Sequence, residues 1–199
     1  KKTEKKNYNT VILDDGMQEY RIKKDLNIVC FNENQLIGNG FVLPAGPLRE
    51  SLSILKDVSV ILINGEKNEA FEKKLLKINN NLEIYYSQYK PININEFKND
   101  EYLALAGIAN PENFFNLLKK HSVKVKKKMT FPDHYKFTKK EIENIIKKAK
   151  KENLKIIMTE KDYFKVNKFE LDNLNFLKVN LKIYNKKKLI NKIKNLCLN

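Results

Sequence analysis

The stretch YLALAGIANPENFFNLLKK, Tyr102 to Lys120, decides the fold. Tyr102 to Ala106 is a short, continuous apolar run, the composition of a strand buried on both faces. Asn110-Pro111 follows at once. Asn is a favoured N-cap, and Pro at the first helical position gives up a backbone N–H that a helix start leaves unbonded anyway. The run Pro111 to Lys120 then places Phe114, Phe115, Leu117 and Leu118 at helical spacing and ends on two lysines, which suit the negative end of a helix dipole. A buried strand feeding a helix is half of a βαβ crossover, so the pattern predicts a parallel sheet.

The same alternation runs outward in both directions. Upstream, the strand candidates are Thr10 to Leu13, Asn27 to Phe31, Val58 to Ile63 and Leu82 to Tyr86, with helices over Leu48 to Leu55 and Glu69 to Lys77. Downstream, Thr138 and Glu141 form the ends of a capping box that opens a helix over Lys139 to Lys150. Strands over Lys155 to Met158 and Phe176 to Leu181 and a helix over Lys187 to Leu196 complete the set. The Asn-rich segment Asn79 to Asn95, which contains Pro91, predicts a domain boundary. The division expected is 1–80 and 81–199, with the last helix free to return to the first domain.

At 199 residues the chain is long enough for one sizeable core or two small ones. Its net charge of +15 attracts anionic partners: nucleic acid, phosphorylated substrates or an anionic membrane surface. The lysines are dispersed, densest at Lys124 to Lys128, Lys147 to Lys151 and Lys186 to Lys188. A lysine-rich surface with no specific partner accounts for the charge equally well. Cys30 and Cys197 are the only cysteines, too few and too far apart for a metal site or a disulfide framework. Cys30, inside an apolar run, reads as a small buried residue. A reducing, cytosolic compartment is the default expectation. No apolar stretch is long enough to span a bilayer. The opening KKTEKKNYNT begins on Lys1 and runs straight into a strand candidate, which suggests that the natural N-terminus lies upstream.

Four short motifs are chemically suggestive. Val11-Ile12-Leu13-Asp14-Asp15-Gly16 is an apolar strand ending in two carboxylates, the hard oxygen donors that Mg²⁺ takes together with phosphate oxygens. Strand ends of this kind face the ligand in open α/β sheets, although an Asp-Asp-Gly turn is also a common structural feature. Gly38-Asn39-Gly40 and Leu43-Pro44-Ala45-Gly46-Pro47-Leu48-Arg49-Glu50 form a stiff loop. Arg49 offers a fork for phosphate, and Glu50 is either a further metal carboxylate or a first-turn helix residue. Phe131-Pro132-Asp133-His134-Tyr135 sets an imidazole beside a carboxylate that can fix its tautomer, although a lone His in a loop is more often a plain surface residue. Met158-Thr159-Glu160-Lys161-Asp162 is a strand end running into a charged turn, facing a cleft or simply exposed.

Taken together and in order, DDGMQEY, GNGFVLPAGPLRE, AGIANPENFF, FPDHYKFT and MTEKD resemble the tetraacyldisaccharide 4'-kinase family over Asp14 to Asp162. The resemblance implies an α/β protein: the remainder of a P-loop kinase-like α/β domain plus a second, smaller α/β domain, joined by a two-stranded linker. It implies transfer of the γ-phosphate of ATP, with Mg²⁺, to the 4'-hydroxyl of a tetraacyldisaccharide 1-phosphate lipid in lipid A biosynthesis. The setting implied is the cytoplasmic face of a Gram-negative inner membrane, with an anionic membrane surface as partner and no nucleic acid. Asp14 and Asp15 match the Walker B carboxylates, and Glu50 an acidic residue near the metal. Gly16, Gln18 and Arg49 fall on the nucleotide and substrate side. His134 matches the histidine that, with an upstream Asp, helps deprotonate the sugar hydroxyl.

Two departures stand out. Glu19 occupies the place where family members commonly have His, and the chain contains no G-x-x-x-x-G-K-[ST] loop to cradle phosphates. The resemblance puts that loop upstream, so the expectation is a fragment inactive on its own. A basic nucleic-acid-binding module and a non-catalytic scaffold derived from the kinase are the alternatives.

Overall fold

A computed structural model describes residues 10–197, which divide into two compact units: residues 10–89 with 181–197, and residues 90–180.

The first unit is built on a sheet of β1 (Ile28–Asn32), β2 (Val60–Asn64), β3 (Glu83–Pro91) and β8 (Val179–Ile183), in the order β1-β2-β3-β8. Pairing is parallel from Ile28 opposite Val60 and from Val60 opposite Glu83. The strands are rich in Ile, Val and Tyr and alternate their faces. Ile61 and Ile63 pack with Phe71 and Leu75 of α1 (Glu69–Leu76), while Val60 and Tyr85 pack with Leu189 of α5 (Lys186–Cys197). Glu83 ties α5 to β3 by accepting from Lys192 at 2.6 Å and pairing with Lys188 at 2.9 Å. These partners hold its carboxyl down at about 2, and burial together with Glu83 pushes the Tyr85 phenol up to about 12. The first cut in the chain falls after Tyr89 rather than at 80, because β3 pairs with β2 through Ser87.

The second unit carries the predicted βαβ pattern in full. Its sheet runs β5 (Lys124–Thr130), β4 (Glu101–Ala106), β6 (Lys155–Thr159), β7 (Leu174–Leu177), parallel throughout. Tyr102, Ala104, Ala106 and Ile157 face α2 (Pro111–Lys120) through Phe114, Phe115 and Leu118. Leu103, Leu105, Ile156 and Met158 face α3 (Lys139–Lys151) and α4 (Glu160–Val166) through Ile142, Ile145, Ile146 and Val166. The capping box on α3 is formed: the Glu141 N–H donates to Thr138 Oγ1 at 3.3 Å, and the Thr138 N–H donates to Glu141 Oε2 at 2.8 Å. Asn110 stands at the N-cap of α2 without a side-chain cap bond.

Several expectations change. Thr10 to Leu13 is not a strand; it is exposed coil, with no sheet partner among the described residues. An apolar run becomes a strand only when a neighbour satisfies its backbone. Leu48 to Leu55 is not an α-helix; a short 3₁₀ turn, Leu52–Asp57, begins after Ser51, so Glu50 lies outside any first turn. Cys30 is exposed rather than buried, because β1 alternates and it is Phe31 that turns inward. Phe176 to Leu181 is two strands. The lysine run Lys124 to Lys128, given no element by the sequence reading, is strand, and Glu160 to Val166 is helix, not a charged turn.

Candidate functional site

In the first unit the two motifs nearest the N-terminus are tied to one another twice. The Arg49 guanidinium donates to the Asp15 carboxylate, and one residue along the Tyr20 hydroxyl donates to Glu50 Oε1 at 2.7 Å. Asp15 adopts a left-handed backbone, φ 55°, at the tip of the Asp14-Asp15-Gly16 turn. A β-carbon on Gly16 would lie 2.4 Å from Leu13 Cβ, so this turn closes only with glycine. Asp14 and Asp15 are exposed; Gly16 and Gln18 are half-buried.

The facing loop is braced from within. The Asn39 amide donates to the Ala45 carbonyl at 2.8 Å, the Leu43 N–H to Leu48 O at 2.8 Å, and the Gly46 N–H to Val42 O at 3.0 Å. A β-carbon on Gly46 would meet Asn39 Oδ1 at 2.1 Å, which explains the glycine there. Arg49 and Glu50 therefore leave a loop with a fixed exit. Loops held in this way commonly carry function.

Glu19 is engaged by Arg21, which donates from Nε at 2.8 Å and from Nη2 at 2.7 Å. That pair holds the Glu19 carboxyl below its ordinary range. The unexpected anion is thus matched by a cation two residues away. The Tyr20 phenol is raised by its bond to Glu50, a partner that sequence reasoning did not supply.

The expected metal set is only partly assembled. Among the described residues, no three His, Cys, Asp or Glu side chains gather where a metal ion could sit. Glu50 is taken up by Tyr20, and Asp15 by Arg49. Asp14 and Asp15 still fit Mg²⁺, which needs only one or two carboxylates when phosphate oxygens and water complete its shell.

In the second unit, His134 lies in the loop that leaves the C-terminal end of β5. Its φ is 59°, a left-handed conformation that costs a non-glycine residue on the order of 1 kcal/mol. Its N–H donates to Asp133 Oδ1 at 2.9 Å, and Nε2 stands 3.7 Å from Asp133 Oδ2. The loop around it is stiff. Phe131, Tyr135 and Phe137 pack ring on ring at about 5 Å centroid separation, and the Tyr135 hydroxyl donates to Glu141 at 2.6 Å.

Next to this loop, the end of β4 is joined to the start of α4. Asp162, fully buried, accepts from the Gly107 N–H at 2.8 Å, from Thr159 Oγ1 at 2.7 Å and from Lys165 at 2.7 Å; Lys165 also donates to the Gly107 carbonyl at 3.0 Å. Every oxygen of this buried carboxylate is used, as burial of a charge requires. The Thr159–Asp162 spacing was a legible cap signal; its tie to Gly107 was not.

Two units, each a sheet with parallel strands packed on helices, make this an α/β protein. The crystal structure of the "apo" form of LpxK from Aquifex aeolicus in complex with ATP shares the fold at a TM-score of 0.63 and 23% identity, over 91% of this chain and 55% of that one. The family model described as tetraacyldisaccharide-1-P 4'-kinase matches residues 2–198, and the chain belongs to that family. Among curated relatives, tetraacyldisaccharide 4'-kinase of Pelagibacter ubique is 40% identical over 94% of this chain and 60% of its own length. That of Haemophilus influenzae is 35% identical over 87% of this chain and 50% of its own. The chain thus spans about half to three-fifths of the relatives' length.

Proposed function

We propose that this chain forms part of an ATP-dependent kinase that phosphorylates the 4'-hydroxyl of a tetraacyldisaccharide 1-phosphate lipid in lipid A biosynthesis. The observation that carries the reading is the double tie of Arg49 to Asp15 and Tyr20 to Glu50, which brings two family motifs into one exposed, charged constellation. Family membership and the ATP-bound relative of the same fold support it.

In this reading Asp14 and Asp15 are the residues that would hold Mg²⁺. The ion would offset charge on the phosphates. Arg49 exchanges its carboxylate partner for a phosphate oxygen, a geometry its planar fork suits. Gly16 lets the turn approach the nucleotide closely, and Gln18 lines the same turn. Glu50, held by Tyr20, keeps the Arg49 loop in place. His134 accepts the proton of the sugar hydroxyl as it attacks. No helix among the described residues is long and apolar enough to cross a membrane. Peripheral attachment of the basic surface to anionic lipid on the cytoplasmic face of the inner membrane fits a lipid substrate.

The test uses a polypeptide that spans the full length of the relatives. Asp15→Asn should lower phosphate transfer from Mg-ATP to the lipid by on the order of 10²-fold. Undiminished turnover would remove Asp15 from the phosphate site and the reading with it.

A further inference from the structure

The structure assigns Lys161 a positioning role toward His134: its ammonium holds the Asp133 carboxylate in place and offsets that carboxylate's charge beside the imidazole. The inference rests on the reading of His134 as the residue that accepts the hydroxyl proton. Lys161 donates to Asp133 Oδ1 at 3.1 Å, and the same oxygen accepts the His134 backbone N–H at 2.9 Å, while Oδ2 faces the imidazole Nε2 at 3.7 Å. One carboxylate is thus bonded to an ammonium and to the backbone of His134, and its other oxygen lies within ion-pair reach of the imidazole. Lys161 is the principal cause that holds Asp133 below its ordinary range.

Both ends of this pair stand on rigid supports. Lys161 precedes Asp162, whose buried carboxylate is bonded to Gly107, Thr159 and Lys165, so the first turn of α4 is fixed to the end of β4. Asp133 belongs to the loop stiffened by the Phe131, Tyr135 and Phe137 rings, and the Phe131 N–H is bonded to the Ala106 carbonyl at 2.9 Å. Of the neighbouring charged groups, Lys165 is engaged with Asp162, and Glu141 with Tyr135 and Thr138. Lys161 is therefore the cation placed to answer Asp133. A proton acceptor must be neutral when it acts, and a lone carboxylate at this distance would favour the imidazolium. Lys161 supplies the counterweight while Asp133 stays beside the ring.

With only two histidines in the chain, NMR titration of the imidazole signals reads His134 directly, and His121 serves as an internal reference. Lys161→Met should raise the His134 midpoint by about half a pH unit, Lys161→Arg should leave it unchanged, and Asp133→Asn should lower it, with His121 fixed in all three. An unmoved or lowered His134 midpoint in Lys161→Met overturns the assignment. In the full-length polypeptide, Lys161→Met should lower kcat by at most about threefold, on the acid side of the profile, with KM little changed, and the kcat profile should move to higher pH; Lys161→Arg should rescue both. If the titration moves as expected but His134→Ala leaves kcat intact, the charge arrangement stands and the reading of His134 as proton acceptor is what fails. If His134→Ala abolishes turnover while Lys161→Met shifts neither profile, Lys161 has no part in it.

Discussion

Residues 101–177 and residues 10–57 use similar side chains to opposite effect. In the former, strand residues alternate between two apolar layers, and Leu105, Leu118, Ile157 and Met158 are wholly buried. In the latter, apart from β1 and the buried Phe31 and Leu55, Ile12 is 89% exposed, Phe41 64% and Leu43 63%, and the loops are ordered by side-chain ties at the surface: Arg49 to Asp15, Tyr20 to Glu50, Asn39 to Ala45. Burying one large aliphatic side chain is worth about 1.5–3 kcal/mol, whereas an exposed ion pair contributes about 0–1 kcal/mol. One region is held by its interior and the other by its loops. The family's Asp-Asp-Gly and Arg-Glu motifs lie in the weakly held region, while His134 is carried by the strongly held one.

The sharpest way to break this contrast is Asp162→Ala. It strands the Lys165 ammonium, the Thr159 hydroxyl and the Gly107 N–H in a dry site, and should cost about 3–5 kcal/mol in the denaturant-induced unfolding of the second unit. A loss below about 1 kcal/mol would mean that the buried network is not what closes that core.

Acid should discriminate within the first unit. The Glu83 carboxyl is held at about 2 against an ordinary 4.5, so its folded value is depressed. Its stabilisation is present above the unfolded value and is lost as pH falls from about 4.5 toward 2. Lys188 is mostly exposed, so the screened contribution is about 1 kcal/mol. Far-ultraviolet dichroism should register loosening of α5 in that window, and Glu83→Gln should abolish the pH dependence. A transition unchanged in Glu83→Gln would place the acid-sensitive contact elsewhere.

The smallest effect is expected at Phe41→Ser, within about 0.5 kcal/mol by thermal unfolding, because the ring covers little. A loss above about 2 kcal/mol would show that the exposed loop is part of a core after all.

How much of this was legible in the sequence follows the same contrast. Pro111–Lys120 was readable to the residue because cap, periodicity and terminal lysines agree, and β4 was readable because a strand buried on both faces is apolar throughout. β5 was not. Its half-buried residues, Val125 and Met129, pack into the cores on opposite faces of the sheet because the register against β4 slips at Val125–Lys127 and breaks the two-residue period; the three lysines between them are exposed. Thr10 to Leu13 failed for the converse reason: its composition is that of a strand, but pairing depends on a neighbour, which no local run encodes. Within the candidate site, the residue types could be read from the motifs. The partnerships of Tyr20 with Glu50, Arg21 with Glu19 and Lys161 with Asp133 depend on how turns fold back, and spacing alone does not reveal that.

The divisions after Tyr89 and before Leu181 give the chain an unusual schedule of synthesis. A ribosome delivers β1, β2 and β3 first, then the whole of the second unit, and only afterwards the segment that brings β8 and α5 to the first sheet. Domains generally fold in the order in which they emerge, but here the unit that starts first must wait for the one that starts second. The second unit completes while its host is still missing Leu189 from the face formed by Val60 and Tyr85. A released chain cut after residue 180 should therefore hold a protease-resistant second unit and a first unit that is still digestible.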